Sequence, residues 1–317
     1  MDQEETYEKV CLELEYRRGI IKDIEQAHSP VQRYLFSEAK RLIKNIDAIY
    51  FSGDIPIAYF KLMSDFDEKE IIELHRRVWN QSRIPFLYVI TPGELRIYNC
   101  FEEPANPEIN ELDAQERLIE HFNVAAGILE GLKKFSQSQM DSGAFWKSEE
   151  GQRFRSDRRV DLRLLENLRI TREKLHKQDL EYSVIHNLIG RSIFILYLED
   201  RGAIDKNIFY DQFLDGATTY SDVIKDKSAV YLLFEKLKEE FNGDLFPVTD
   251  EERNSKVNST HLKFIRELFY GTDMDTGQQM LWRPYDFGVI PIELISAIYE
   301  KFLHTEKEKG YLSKEGA

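Results

Sequence analysis

Two short turns set the limits on what this chain can fold into. Ser52-Gly53-Asp54 separates Ala48–Phe51 from Ile55–Met63, and Pro92-Gly93 separates Pro85–Thr91 from Glu94–Asn99. Each turn lies between runs rich in β-branched and aromatic residues, the pattern of a β-hairpin. Between them, Ile71, Ile72, Leu74 and Val78 recur at helical steps after Asp67, so a helix capped by Asp67 and ending near Asn80 is expected. A further helix over Tyr34–Ile46 gives the order helix, strand, strand, helix, strand, strand, which is a small α+β domain.

The pattern then changes. Leu118, Phe122, Ala125, Leu129 and Leu132 fall on one stripe of an expected long amphipathic helix, which runs into a Ser/Gln-rich stretch from Ser136 to Gly143. Beyond it, Leu162–Leu175, Tyr182–Glu199, Val230–Glu240, Ser259–Leu268 and Pro291–Leu303 all carry apolar residues at three- and four-residue steps. A chain of 317 residues, 42% hydrophobic, suits two cores. The expected organisation is an α+β domain with its trailing helix over residues 1–140 and a mostly α-helical domain over 141–317, with no internal repeat.

Cys11 and Cys100 form neither a metal-ligand spacing nor a disulfide framework, which suits a reducing compartment. The acidic N-terminus is unlike an export signal, and the apolar runs Ile193–Leu198 and Ala229–Phe234 are far short of the ~20 residues a spanning helix needs. A cytoplasmic protein without a membrane partner is expected. The net charge of −14 argues against indiscriminate coating of nucleic acid, which demands an excess of Lys and Arg. The basic stretch from Lys147 to Lys177 is the local exception. In it Arg153, Arg155, Arg158 and Arg159 cluster beside Phe145-Trp146 and are the candidates for phosphate contact. Equally, they form a solvated face on which Asp157 pairs with Arg153 and Asp161 with Arg158.

Metal-dependent phosphodiester cleavage needs acids converging from adjacent strands and a lysine beside them. The first hairpin offers Asp47 or Asp54 as the acid and Lys61 as the lysine, with Mg²⁺ as the ion if such a site is active. Residues two apart on a strand share a face, so the remaining ligand belongs at position 59, which is Tyr. A phenol with a reference pKa near ~10 is a poor hard-cation ligand at neutral pH. Asp65 and Asp67 lie beyond the strand, where a carboxylate is more often a helix cap. His75 reads as a core or surface residue; Trp79 and Gln81 either face nucleic acid or, more simply, close the core and lie in a helix end respectively.

This order of elements resembles a restriction-nuclease core of the PD-(D/E)xK type with a degenerate site. The stretch Tyr59-Phe60-Lys61, His75, Trp79-Asn80-Gln81 and Arg83-Ile84-Pro85-Phe86-Leu87 is similar to the N-terminal region of some fused restriction-modification proteins. Further along, three segments stand out: Ile189–Gly202 (IGRSIFILYLEDRG), Phe241–Phe246 (FNGDLF) and Tyr285–Glu300 (YDFGVIPIELISAIYE). The first is also simply a core helix with Gly202 as a left-handed end and charges from Glu199, Asp200 and Arg201 to pair there. Together they resemble the helical region that precedes the catalytic domain of type IIG restriction enzymes and related N6-adenine DNA methyltransferases.

The resemblance implies an N-terminal, DNA-engaging segment of a restriction-modification or phage-defence protein. DNA and a methyltransferase domain or subunit are its implied partners, and the chain is expected to stop at a domain edge. S-adenosylmethionine would belong to that downstream domain, since neither a glycine-rich turn for it nor an Asn-Pro-Pro-Tyr-like loop occurs here, and no two prolines are adjacent. The other readings are an active stand-alone endonuclease using Asp47, Asp54 and Lys61, and a helical interaction subunit that does not touch DNA.

Overall fold

The computed structural model describes residues 1–106, 112, 116–127, 129–241, 248, 252, 257–270 and 283–312. It divides into two compact units, Met1–Val160 and Asp161–Ala317.

The first unit contains a six-stranded mixed sheet in the order β1 to β6: Ile20–Ile21, Ala48–Ser52, Ile55–Leu62, Phe86–Thr91, Glu94–Asn99 and Leu118–Asn123. Strands β2 and β3 pair antiparallel through the turn at Gly53, whose φ of 60° suits a residue without a Cβ. Strands β3 and β4 are parallel, so the chain must cross over between them. Helix α3, Glu68–Gln81, makes that crossing. The Asp67 carboxylate accepts from the Glu70 amide at 3.1 Å to start it, and Ser82 in a left-handed conformation ends it. The β4–β5 turn at Gly93 (φ 78°) is pinned by the Thr6 hydroxyl, which accepts from the Gly93 amide at 2.9 Å. Helices α1, Gln3–Glu13, and α2, Pro30–Leu42, open on a capping box at Asp2 and Glu5 and on Ser29-Pro30 respectively.

Two expectations are corrected here. Residues 118–123 are strand β6, paired antiparallel with β5, and the chain continues through a turn with Gly127 at φ 72° into a 3₁₀ segment, Glu130–Phe135, so no long helix forms. The apolar stripe suits a helix, but β5 would otherwise present an unpaired edge, and Leu118–Asn123 supplies its partner. The division between units also falls at Val160/Asp161, after the expected Ser/Gln boundary. The reason is aromatic packing. Phe145 and Phe154 sit 5.3 and 4.9 Å from the ring of Phe86 on β4, so residues 141–160 belong to the first core.

The second unit is helical among its described residues. Its longer helices are α6, Val160–His176 (which starts at the boundary), α7, Tyr182–Asp200, α10, Lys227–Phe241, α11, Ser259–Tyr270, and α12, Ile292–Leu312, with α8, Lys206–Phe209, and α9, Tyr220–Val223, between them; α4, Gln137–Asp141, and α5, Glu149–Gln152, lie in the first unit. Helix α7 supplies the centre of this core. Ile185, Leu188, Ile189, Ile195 and Leu196 are all fully or nearly fully buried. No described helix is long and apolar enough to cross a membrane.

Candidate nuclease-like site

Strand β3 directs Tyr59 and Lys61 to the face that α3 covers. The Tyr59 hydroxyl donates to Gln81 Oε1 at 2.5 Å, at the far end of α3, and the Lys61 ammonium lies 3.0 Å from the Glu70 carboxylate in its first turn. Burial raises the Tyr59 pKa well above that of an ordinary phenol, so the ring stays protonated and acts as a donor. A helix has therefore provided both polar groups of this strand face with partners.

Asp47 and Asp54 are not brought together. Asp47 precedes β2, beside the end of β3, and its carboxylate accepts from the Leu62 amide at 2.7 Å. Asp54 lies in the hairpin turn at the other end of β3, where it accepts from the Ser29 hydroxyl at 2.6 Å. Six or seven strand residues separate the two, roughly 20 Å at the rise of an extended chain. Asp65 is exposed and Asp67 is the cap of α3. Among the described residues no three His, Cys, Asp or Glu side chains converge as metal ligands. The donor set Asp47, Asp54 and Lys61, with a protonated phenol at position 59, does not fit a divalent ion such as Mg²⁺.

His75 is a core residue. It is fully buried, with Nε2 2.8 Å from the Asn99 carbonyl, and burial lowers its pKa to about 4, leaving it neutral. Trp79 is buried on α3 and donates from Nε1 to the Arg158 carbonyl at 3.0 Å.

The four arginines divide into inner and outer positions. The Arg153 guanidinium donates to the carbonyls of Leu118 and Ile119 at 2.6 and 3.0 Å and so holds β6. Arg159 donates to the Ser82 carbonyl and hydroxyl at the end of α3 and lies over the Phe101 ring. Arg158 stands 3.9 and 4.0 Å from Glu102 and Glu103 with its side chain 40% exposed. Arg155 is exposed and pairs at 2.6 Å with Asp157, so Asp157 is the partner of Arg155 and not of Arg153. Arg158 likewise takes the two glutamates in place of Asp161. Charge alone could not separate struts from surface groups.

In the second unit the motif charges have definite partners. Glu199, 2% exposed, accepts from the Tyr210 hydroxyl at 2.7 Å and the Tyr220 amide at 2.8 Å. The Asp200 carboxylate accepts from the Phe287 amide at 2.9 Å and pairs with Arg283, while Arg201 donates to the Ile290 carbonyl at 3.4 Å. Gly202 has φ 69°, the left-handed end of the helix. Gly288 is required where it stands, because a Cβ there would lie 2.9 Å from the Asp200 carbonyl oxygen. The segments Ile189–Gly202 and Tyr285–Glu300 thus meet, which their separation in sequence gave no means of reading. Of the third segment, Asn242–Phe246 lies outside the described residues.

Compared with known proteins, the chain matches no family model, no curated protein and no solved structure.

Proposed function

We propose that this chain is the N-terminal segment of a bacterial restriction-modification or phage-defence adenine DNA methyltransferase, and that it engages DNA without cutting it. The observation that carries the non-cutting half is Tyr59. It stands where a nuclease of this strand order needs a carboxylate, and it is buried and bound to Gln81. Support for the setting is the resemblance of Ile189–Gly202 and Tyr285–Glu300 to the helical region before a methyltransferase domain, together with the contacts between them. In this reading a methyltransferase domain or subunit is the partner and holds S-adenosylmethionine. Phosphate contact falls to Arg155 and Arg158, whose partners are carboxylates and not the backbone carbonyls that hold Arg153 and Arg159.

The test is a gel-shift titration of a short duplex at low salt, run beside a cleavage assay with Mg²⁺ or Mn²⁺. Salt-sensitive binding without cleavage is expected, weakened when Arg155 and Arg158 are both replaced by Gln. Cleavage that vanishes in Lys61→Ala would overturn the non-cutting reading. Absence of any DNA binding, with a stable protein partner instead, would favour an interaction subunit.

A further inference from the structure

Helices α7 and α12 wall an open-sided cavity of about 330 Å³ within the second unit. That volume lies at the lower end of small-ligand pockets, which run from about 300 to 1,000 Å³. Gly190 sets how closely the helices approach. A Cβ at this position would lie 2.6 Å from the Tyr299 hydroxyl oxygen, so a larger residue would push the ring away from α7. The Tyr299 hydroxyl donates to the His186 carbonyl at 3.2 Å, which fixes the ring as a wall of the cavity. Phe194 and Tyr197 add two more aromatic walls, and Ile295 an aliphatic one.

The polar groups define what could enter. Arg191 lines the cavity, but its guanidinium is committed to Glu252 through two bonds of 2.5 and 3.0 Å, and both side chains are almost wholly buried. The pair is neutral overall, so a phosphate or carboxylate entering the cavity would lose its hydration against a cation that is already matched. Asn187 differs: it lines the cavity from a half-buried position, and its side chain enters none of the hydrogen bonds among the described residues. A side-chain amide presents a donor and an acceptor side by side, the arrangement that matches the paired acceptor and donor on an adenine edge.

We propose that this cavity binds a neutral, planar nitrogen heterocycle of the adenine type, packed among the aromatic walls and read by the Asn187 amide. Flat rings gain most from such walls, and the amide supplies orientation. The same chemistry is offered by a free nucleoside and by a base presented on single-stranded DNA. Binding of free adenosine is independent of whether the chain engages duplex DNA, so the failure of one reading leaves the other standing.

The test is calorimetric titration of the full chain with adenosine, with indole as a flat ring lacking the paired edge. Saturable adenosine binding is expected, tighter than that of indole, weakened about tenfold in Asn187→Leu. Ser296→Trp, at an exposed position on the rim, is expected to abolish binding while leaving the circular dichroism spectrum unchanged. Competition between adenosine and an oligothymidine carrying one central adenine would identify a base on a strand as the source, and lack of competition the free nucleoside. No saturable binding, equal binding of indole, or unchanged affinity in Asn187→Leu would each overturn the proposal.

Discussion

The Tyr59 hydroxyl on β3 and the Gln81 side-chain oxygen at the end of α3 are 2.5 Å apart and both residues are almost fully buried. Tyr59→Phe leaves the Gln81 oxygen without its donor in a dry place. The expected cost is about 1–3 kcal/mol of unfolding free energy, seen as a lower urea midpoint at unchanged slope. A Tyr59→Phe protein as stable as the parent would show that this bond adds nothing net.

His75 makes stability depend on pH. Its folded pKa of about 4 lies below the unfolded value, so the unfolded chain takes up the proton first and stability falls as pH drops from about 6.5 towards 4. His186, also lowered to about 4 by burial and then by Arg172, acts in the same window. The share of His75 is at most about 3 kcal/mol. His75→Gln keeps a donor for the Asn99 carbonyl and is expected to flatten the stability profile between these limits. An identical profile in the two proteins would refute the assignment.

The buried pair Arg191–Glu252 predicts asymmetry between breaking and replacing. Glu252→Gln alone strands a guanidinium in the core and is expected to cost about 3–5 kcal/mol. Arg191→Met combined with Glu252→Leu removes both charges and is expected to regain most of that loss. Thermal unfolding of the three proteins distinguishes this from simple additivity.

Arg153 and Arg155 are expected to part company on substitution. Arg153→Gln frees two strand carbonyls and is expected to lower stability by about 1–3 kcal/mol. Arg155→Gln removes an exposed, solvent-screened pair with Asp157 and is expected to leave the denaturation midpoint unchanged while weakening DNA binding. Chemical denaturation and gel shift on both variants check the division of labour.

The parts of the fold that could be read in advance are those decided by neighbours in sequence. The turn at Gly53 and the cap at Asp67 depend on a few adjacent residues, and both stand where turn and cap chemistry put them. Leu118–Asn123 is different, because its strand state is imposed by the edge of β5 and its own periodicity suits a helix as well. The arginine row shows the same limit at the level of a site. Arg153 and Arg155 are two residues apart and equally basic, yet one holds backbone carbonyls and the other faces solvent, a distinction set by β6. That Tyr59 is a phenol on the same strand face as Lys61 can be read from their spacing, whereas its bond to Gln81 depends on the placement of α3.

The latch between Asp200 and Arg283 joins residues 83 positions apart in sequence. The chain between them is not a free loop, because it carries α8 to α11, and the Tyr210, Tyr220, Phe234 and Ile265 side chains along it are buried in the same unit. The entropy of closing a flexible connection grows only as the logarithm of its length, about 0.6 kcal/mol for each doubling. An insertion between the two ends is therefore expected to be cheap only where it leaves these helices packed, so what limits the length of this stretch is the core it builds and not the closure it makes.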